Sequence, residues 1–146
     1  MSRSHLAVVS LTLAVCVLAC DTWRETLREG TYGPSFEYIS AEQLKSTMWQ
    51  MARDTRDVEQ ILSRPAPVSA EDRAKVSALL ATLYEESGRL GSEGKRTNHP
   101  LLDQDRDRFR NDIATAKRGV DGEPPSYTLA RGVSASCVHC HNRPMR

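Results

Sequence analysis

Residues 40–62 read SAEQLKSTMWQMARDTRDVEQIL, and this stretch decides the fold. Ser40-Ala-Glu-Gln43 has the form of a capping box, in which the serine hydroxyl accepts from the amide three residues on and the glutamine reaches back. Ile39 and Leu44 occupy the positions of a hydrophobic staple across that cap. From there the apolar or small positions run Leu44, Met48, Met51, Thr55, Val58 and Leu62, alternating steps of four and three. That rhythm is a single apolar stripe on an α-helix, of the kind that faces the core of a helical bundle.

Working toward the C-terminus, Arg64-Pro65-Ala66-Pro67 ends this helix, because proline disfavours helical backbone in the residue before it. Ser69 caps a second helix with Glu71 and Asp72 in its first turn, at the positive end of the dipole. Its stripe is Val76, Leu80, Leu83 and Ser87, widened by Leu79 and Tyr84. Gly88, Gly91 and Gly94 stop it, which makes GSEGKRTNHP (91–100) a loop. A third helix is expected over 101–118, with Leu102, Phe109, Ile113 and Ala116 inward and the run DQDRDRFRND (103–112) on a solvated outer face. Gly119 to Pro125 breaks the chain again, and Ser126 is placed to cap a fourth helix through Leu129, Ala130, Val133, Cys137 and Cys140. Four amphipathic helices and three loops predict an all-α, up-down-up-down four-helix bundle over 40–146.

Working toward the N-terminus, DTWRETLREGTYGPSFEYI (21–39) has two Gly, one Pro and no sustained period, and with Cys20 it reads as a lipid-anchored tether over 20–39. Before it, Leu6 to Ala19 is an unbroken run of apolar and small residues, shorter than the roughly 20 a spanning helix needs. The run reads as the core of a signal peptide over 1–19. Val17-Leu18-Ala19-Cys20 resembles the lipobox of bacterial lipoproteins, which would make Cys20 the lipidated first residue; an ordinary signal peptide cut after Ala19 is the alternative. Either way the chain is expected to be exported, with membrane lipid as a partner through Cys20 and an inner-membrane location favoured by Asp21.

This processing accounts for the cysteines. Of four, Cys16 leaves with the signal, Cys20 carries lipid, and Cys137 and Cys140 remain as a pair. Taking away 1–19 leaves 127 of the 146 residues, enough for one domain. It also removes Arg3 from the 20 basic side chains, leaving 19 against 19 acidic and a formal net charge of zero, which argues against nucleic acid as a partner.

The remaining cysteines stand in CVHCH, Cys137 to His141. On a helix, positions i, i+3 and i+4 share a face, so Cys137, Cys140 and His141 project together. Two thiols so placed can add to the two vinyl groups of a haem while the imidazole is directed at the iron as proximal ligand, which is why this pattern marks covalent haem c. A structural zinc site would need four ligands around a tetrahedral ion, and these residues are crowded into five positions with His99 the one other histidine after the signal. A thioredoxin-like pair would want a strand leading into the motif, and nothing upstream reads as a sheet. Met145, four residues beyond His141, lies on the same side of a porphyrin and cannot reach the opposite axial position. His99 and His139 are expected to be surface residues. No Ser/His/Asp arrangement, phosphate loop or dinucleotide fingerprint is present, so no enzymatic activity is expected.

An export signal, four predicted helices and CVHCH on the last of them resemble the class II c-type cytochromes, the cytochrome c′ and cytochrome c556 family, here in a lipoprotein. The likeness covers about residues 40–143, and CVHCH is its one specific motif. It implies one haem held inside the bundle. In c556-type members a first-helix Met is the sixth ligand of a low-spin electron carrier, a role that would fall to Met48 here, with Met51 the alternative. In c′ members the iron is five-coordinate and binds NO or CO. The expected function is thus a periplasmic, membrane-anchored single-electron carrier, against a gas-binding protein or a haem-free helical interaction module. The redox partner protein is not legible, and a homodimer is left open. The sequence departs from the family after His141, where Arg143 could serve a propionate but Pro144 truncates the helix.

Overall fold

A computed structural model describes Leu27, Thr31, Gly33 and residues 35–141. Cys20, the proposed signal peptide, Arg143, Pro144 and Met145 lie outside the described residues. The fold is mostly helical, as expected. Three long helices, α1 (Ala41–Leu62), α2 (Ala70–Gly88) and α3 (Pro100–Asp121), are followed by two single turns, α4 (Thr128–Arg131) and α5 (Val138–His141). A 3-10 segment, Val133–Cys137, joins those turns. Two two-residue strands, β1 (Phe36–Glu37) and β2 (Arg96–Thr97), pair in parallel, Phe36 with Arg96 and Glu37 with Thr97.

The N-caps form as the sequence implies, with one difference. Ser40 Oγ accepts from the Gln43 amide at 3.1 Å, but the Gln43 side chain turns away and donates to the Arg89 carbonyl at 3.2 Å. The box is half formed, and its other half ties α1 to the residue after α2. Ser69 Oγ accepts from the Asp72 amide and donates to the Asp72 carboxylate, both at 3.0 Å. At the other end of α3, the Arg73 guanidinium from α2 donates to the carbonyls of Val120, Asp121 and Gly122 at 2.9, 2.9 and 3.0 Å. It thereby satisfies carbonyls that a helix end leaves without intrahelical partners.

The folded unit begins earlier than Ser40. Ile39 is fully buried, and its amide and carbonyl are clasped by the Asn98 side chain at 2.8 and 2.9 Å. His99 Nε2 lies 3.2 Å from the same carbonyl, so His99 is half-buried rather than a surface residue. The 91–100 segment, expected as a plain loop, is therefore a clamp that fastens residues 36–39 onto the start of α3. It turns at Gly91, whose φ of +116° lies in the region that favours glycine.

The core stripes are those expected: Met51, Val58 and Leu62 from α1, Val76, Leu80 and Leu83 from α2, and Leu102, Phe109, Ile113 and Ala116 from α3. Tyr84 departs from its stripe, being 39 % exposed with the Arg110 guanidinium stacked 4.1 Å from its ring centroid. The solvated outer face assigned to 103–112 is also corrected, because Asp105 and Arg106 are 4 and 5 % exposed. Arg106 falls four residues after Leu102 and three before Phe109, on the inward stripe, so spacing outweighed charge.

A continuous fourth helix through the cysteines does not form. Ser126 does not act as the expected cap; its amide donates to the Gly119 carbonyl at 2.8 Å as the chain returns, and a Cβ at Gly119 would stand 3.0 Å from the Ser126 carbonyl. The segment then bends at Gly132 (φ −107°, ψ 12°) into the Ser-rich 3-10 stretch. Glycine and serine hold helical backbone weakly, and the short turns follow. The C-terminal turns pack on α3 and on α1, and Arg131 donates to the Leu62 carbonyl at the end of α1. α1 packs on α2 and α2 on α3, whereas α1 and α3 make no close backbone contact. The space between α1 and α3 is closed by the C-terminal segment.

Candidate cofactor site

That space is a cavity of about 410 Å³, within the range of small-molecule and cofactor sites. α1 contributes Lys45, Met48, Trp49, Met51 and Ala52, and α3 contributes Leu102, Arg106 and Phe109. Leu90 enters from the segment after α2, and Ser136, Cys137, Cys140 and His141 come from the C-terminal turns. All three motif residues and both candidate methionines therefore line one cavity. The i, i+3, i+4 argument survives the loss of the long helix, because Val138–His141 is a helical turn and Cys137 is the residue before it.

The walls differ in exposure. Met51, Leu90, Leu102 and Phe109 are 7, 3, 5 and 6 % exposed and make the floor. Met48 is half-buried on the same stripe, while Lys45, Ala52, Cys137 and His141 are exposed and Trp49 is 59 % exposed. The cavity is thus apolar within and open along one side. Desolvation of the Cys137 sulfur pushes its thiol above the ordinary range, and the Glu59 carboxylate adds to this. A redox-active nucleophilic cysteine wants the opposite shift, so the thioredoxin-like alternative gains nothing from this site.

His139 does not point to the surface. Its Nε2 lies 3.0 Å from Asp112 Oδ2 on α3, and its side chain is 16 % exposed. Ser136 Oγ donates to the same Asp112 oxygen at 2.7 Å. Desolvation alone would raise Asp112, but the hydrogen bonds from Ser136 and His139 outweigh it, with the charges of His139 and Arg108 helping, and hold its carboxyl below its usual value. One carboxylate of α3 therefore fastens the motif segment at two points and leaves Cys137, Cys140 and His141 on the cavity side.

Of the cavity residues, Lys45, Trp49, Ala52, Leu90, Arg106 and Ser136 were not singled out in the sequence. Arg106 carries a signal that was available, its register with Leu102 and Phe109. Its Nη1 is buried without a hydrogen-bond partner among the described residues, and its Nε donates to Asp107 at 3.2 Å. Among the described residues no group of three or more His, Cys, Asp and Glu side chains converges to hold a metal ion, which a structural zinc site would require. Also among the described residues, no helix is long and apolar enough to cross a membrane. No protein-family model, curated protein or solved structure matches the chain.

Proposed function

We propose that this chain is a c-type haem protein working as a lipid-anchored, exported single-electron carrier. The observation that carries the proposal is that Cys137, Cys140, His141, Met48 and Met51, drawn from the two ends of the domain, line one apolar cavity. The residues present fit the group: an apolar floor for a porphyrin, two thiols and an imidazole on one wall, and thioethers on the stripe of α1. Cys137 and Cys140 would hold the haem covalently, as thioethers formed by addition of their S–H groups across its two vinyl groups. His141 and Met48, with Met51 the alternative to Met48, would be the residues that ligate its iron. The bound haem supplies a one-electron ferric/ferrous couple.

The chain's own residues do the rest. Met51, Leu90, Leu102 and Phe109 exclude water from the floor, and a drier site disfavours net charge and so helps set the potential. A thioether ligand raises that potential relative to a second imidazole. Asp112, through Ser136 and His139, fixes the segment that presents the imidazole. The three long helices and the C-terminal turns would be the four walls of an up-down-up-down bundle of the class II cytochrome kind. Cys20 would place the domain at a membrane surface, and the exposed rim would meet the redox partner.

The test is an absorption spectrum of the full chain expressed with a haem-ligation system, recorded oxidised, reduced and with CO. A low-spin spectrum with a Met-to-iron charge-transfer band, unchanged by CO, is expected. A high-spin ferrous spectrum that shifts on adding CO would replace the electron carrier by a gas-binding protein.

A further inference from the structure

The outer face of α1 carries charge that the fold does not use. Between Glu42 and Asp57 its exposed side chains include Lys45, Trp49, Arg53 and Arg56 and no acid, the one carboxylate of that stretch, Asp54, being buried. Steps of four, four and three put these four residues on one side of the helix, over about 16 Å. None of the three cations is in an ion pair with a described residue: Arg53 donates to the neutral Gln50 side chain, whereas Arg64, Arg73, Arg89 and Lys117 each hold a carboxylate. Among the described residues no large apolar side chain is more exposed than Trp49, at 59 %. Lys45 and Trp49 also stand on the rim of the cavity. An exposed indole among unpaired cations has the chemistry of a membrane interface, where the ring settles at headgroup depth and Lys or Arg meets anionic lipid.

The position of the stripe favours a bilayer over an acidic protein. The chain enters the fold at Phe36 to Ile39, where Asn98 clasps it just before α1 begins at Ala41, so Lys45 and Trp49 lie within three turns of the point of entry. Fifteen residues separate Cys20 from Phe36, about 50 Å even when fully extended. On the lipid-anchor reading, on which this inference rests, the stripe is therefore held close to a bilayer and meets it at high effective concentration. We propose that α1 docks on an anionic phospholipid surface through Lys45, Trp49, Arg53 and Arg56. Docking turns the open side of the cavity toward the lipid, so that a group held there meets partners seated in the same membrane.

The test uses the mature chain without its acyl group, exported behind a cleavable signal in place of residues 1–20 and expressed with a haem-ligation system, so that the whole described fold is kept. It is sedimented with vesicles of phosphatidylcholine alone and of phosphatidylcholine with phosphatidylglycerol, at low and at high salt. The wild type should bind the phosphatidylglycerol vesicles at low salt, leave them at high salt and ignore the neutral ones. Arg53→Glu and Arg56→Glu should each lower the bound-to-free ratio about ten-fold, and Trp49→Ala several-fold. Lys75→Glu, an equal change of charge on the exposed face of α2, should bind as the wild type does. An equal loss in Lys75→Glu means that net charge alone is at work and overturns the inference. If Trp49→Ala does not fold, the arginine variants decide alone. A wild type that stays in solution with both vesicles overturns the inference and leaves the anchor standing; if it then binds poly-glutamate through the same arginines, the stripe belongs to an acidic protein partner. Palmitate that fails to enter the full chain overturns the anchor reading, and is measured apart from the vesicles.

Discussion

Met51 is 7 % exposed and Met48 half-buried on the same stripe, and their alanine variants separate packing from ligation. Truncating a buried methionine removes transfer energy and leaves a cavity, so Met51→Ala should cost about 2–5 kcal/mol in denaturant unfolding. Met48→Ala should cost less and yet abolish the Met-to-iron band; if that band disappears only in Met51→Ala, the ligand is the buried methionine. Asp112 makes a prediction with a sign. Its carboxyl is held below its unfolded value, so the stability it contributes is present above that value and is lost as pH falls through the lower folded one. Asp112→Asn should therefore reduce stability at pH 7, by about 0.5–1 kcal/mol because the side chain is 43 % exposed, and by less near pH 3. Urea midpoints of the two proteins at both pH values check this, and a difference that does not shrink in acid contradicts it.

Among the elements, α1, α2 and α3 were legible because each writes its core stripe in steps of three and four with a serine or a proline near its start. What was illegible has physical causes. Gln43 had a competing acceptor in the Arg89 carbonyl, 46 residues away, so the capping box closed on one side alone. Asn98 and His99 sit in a segment rich in turn residues, and their grip on Ile39 is a contact across 59 and 60 residues that no local pattern announces. Arg106 was assigned outward on its charge, against its register. The expected fourth helix had apolar residues at helical spacing, but Gly132 and the serines beside it made short turns cheaper. The segment between α2 and α3 also yields a prediction. Gly91→Ala would place a Cβ against Nη1 of Arg106 and the Thr97 methyl, at a φ that side chains rarely adopt. It should lower stability by about 1–3 kcal/mol, measured by thermal or denaturant unfolding. A substitution tolerated without loss would mean that the clamp on residues 36–39 is not tightly held.

For the whole molecule, the decisive feature is that α1 and α3 stay apart while the C-terminal turns bridge them, leaving an apolar cavity where a bundle would ordinarily close its core. Its motif wall was legible in CVHCH, and Met48, Met51, Leu102 and Phe109 were read as inward-facing residues; that α1 and α3 stand apart to leave the space between them was not. The anchor is tested separately: labelled palmitate should enter the wild-type chain and not Cys20→Ser, and label persisting in that variant would remove the lipid attachment from the account. The central claim is covalent haem at Cys137 and Cys140. Its most direct measurement is acid-acetone extraction of the purified chain after expression with a haem-ligation system, read by mass and by haem absorbance. One haem should stay with the wild-type protein through extraction, and the Cys137→Ser, Cys140→Ser double variant should retain none. A colourless wild-type chain, or haem that extracts fully into the solvent, would contradict it.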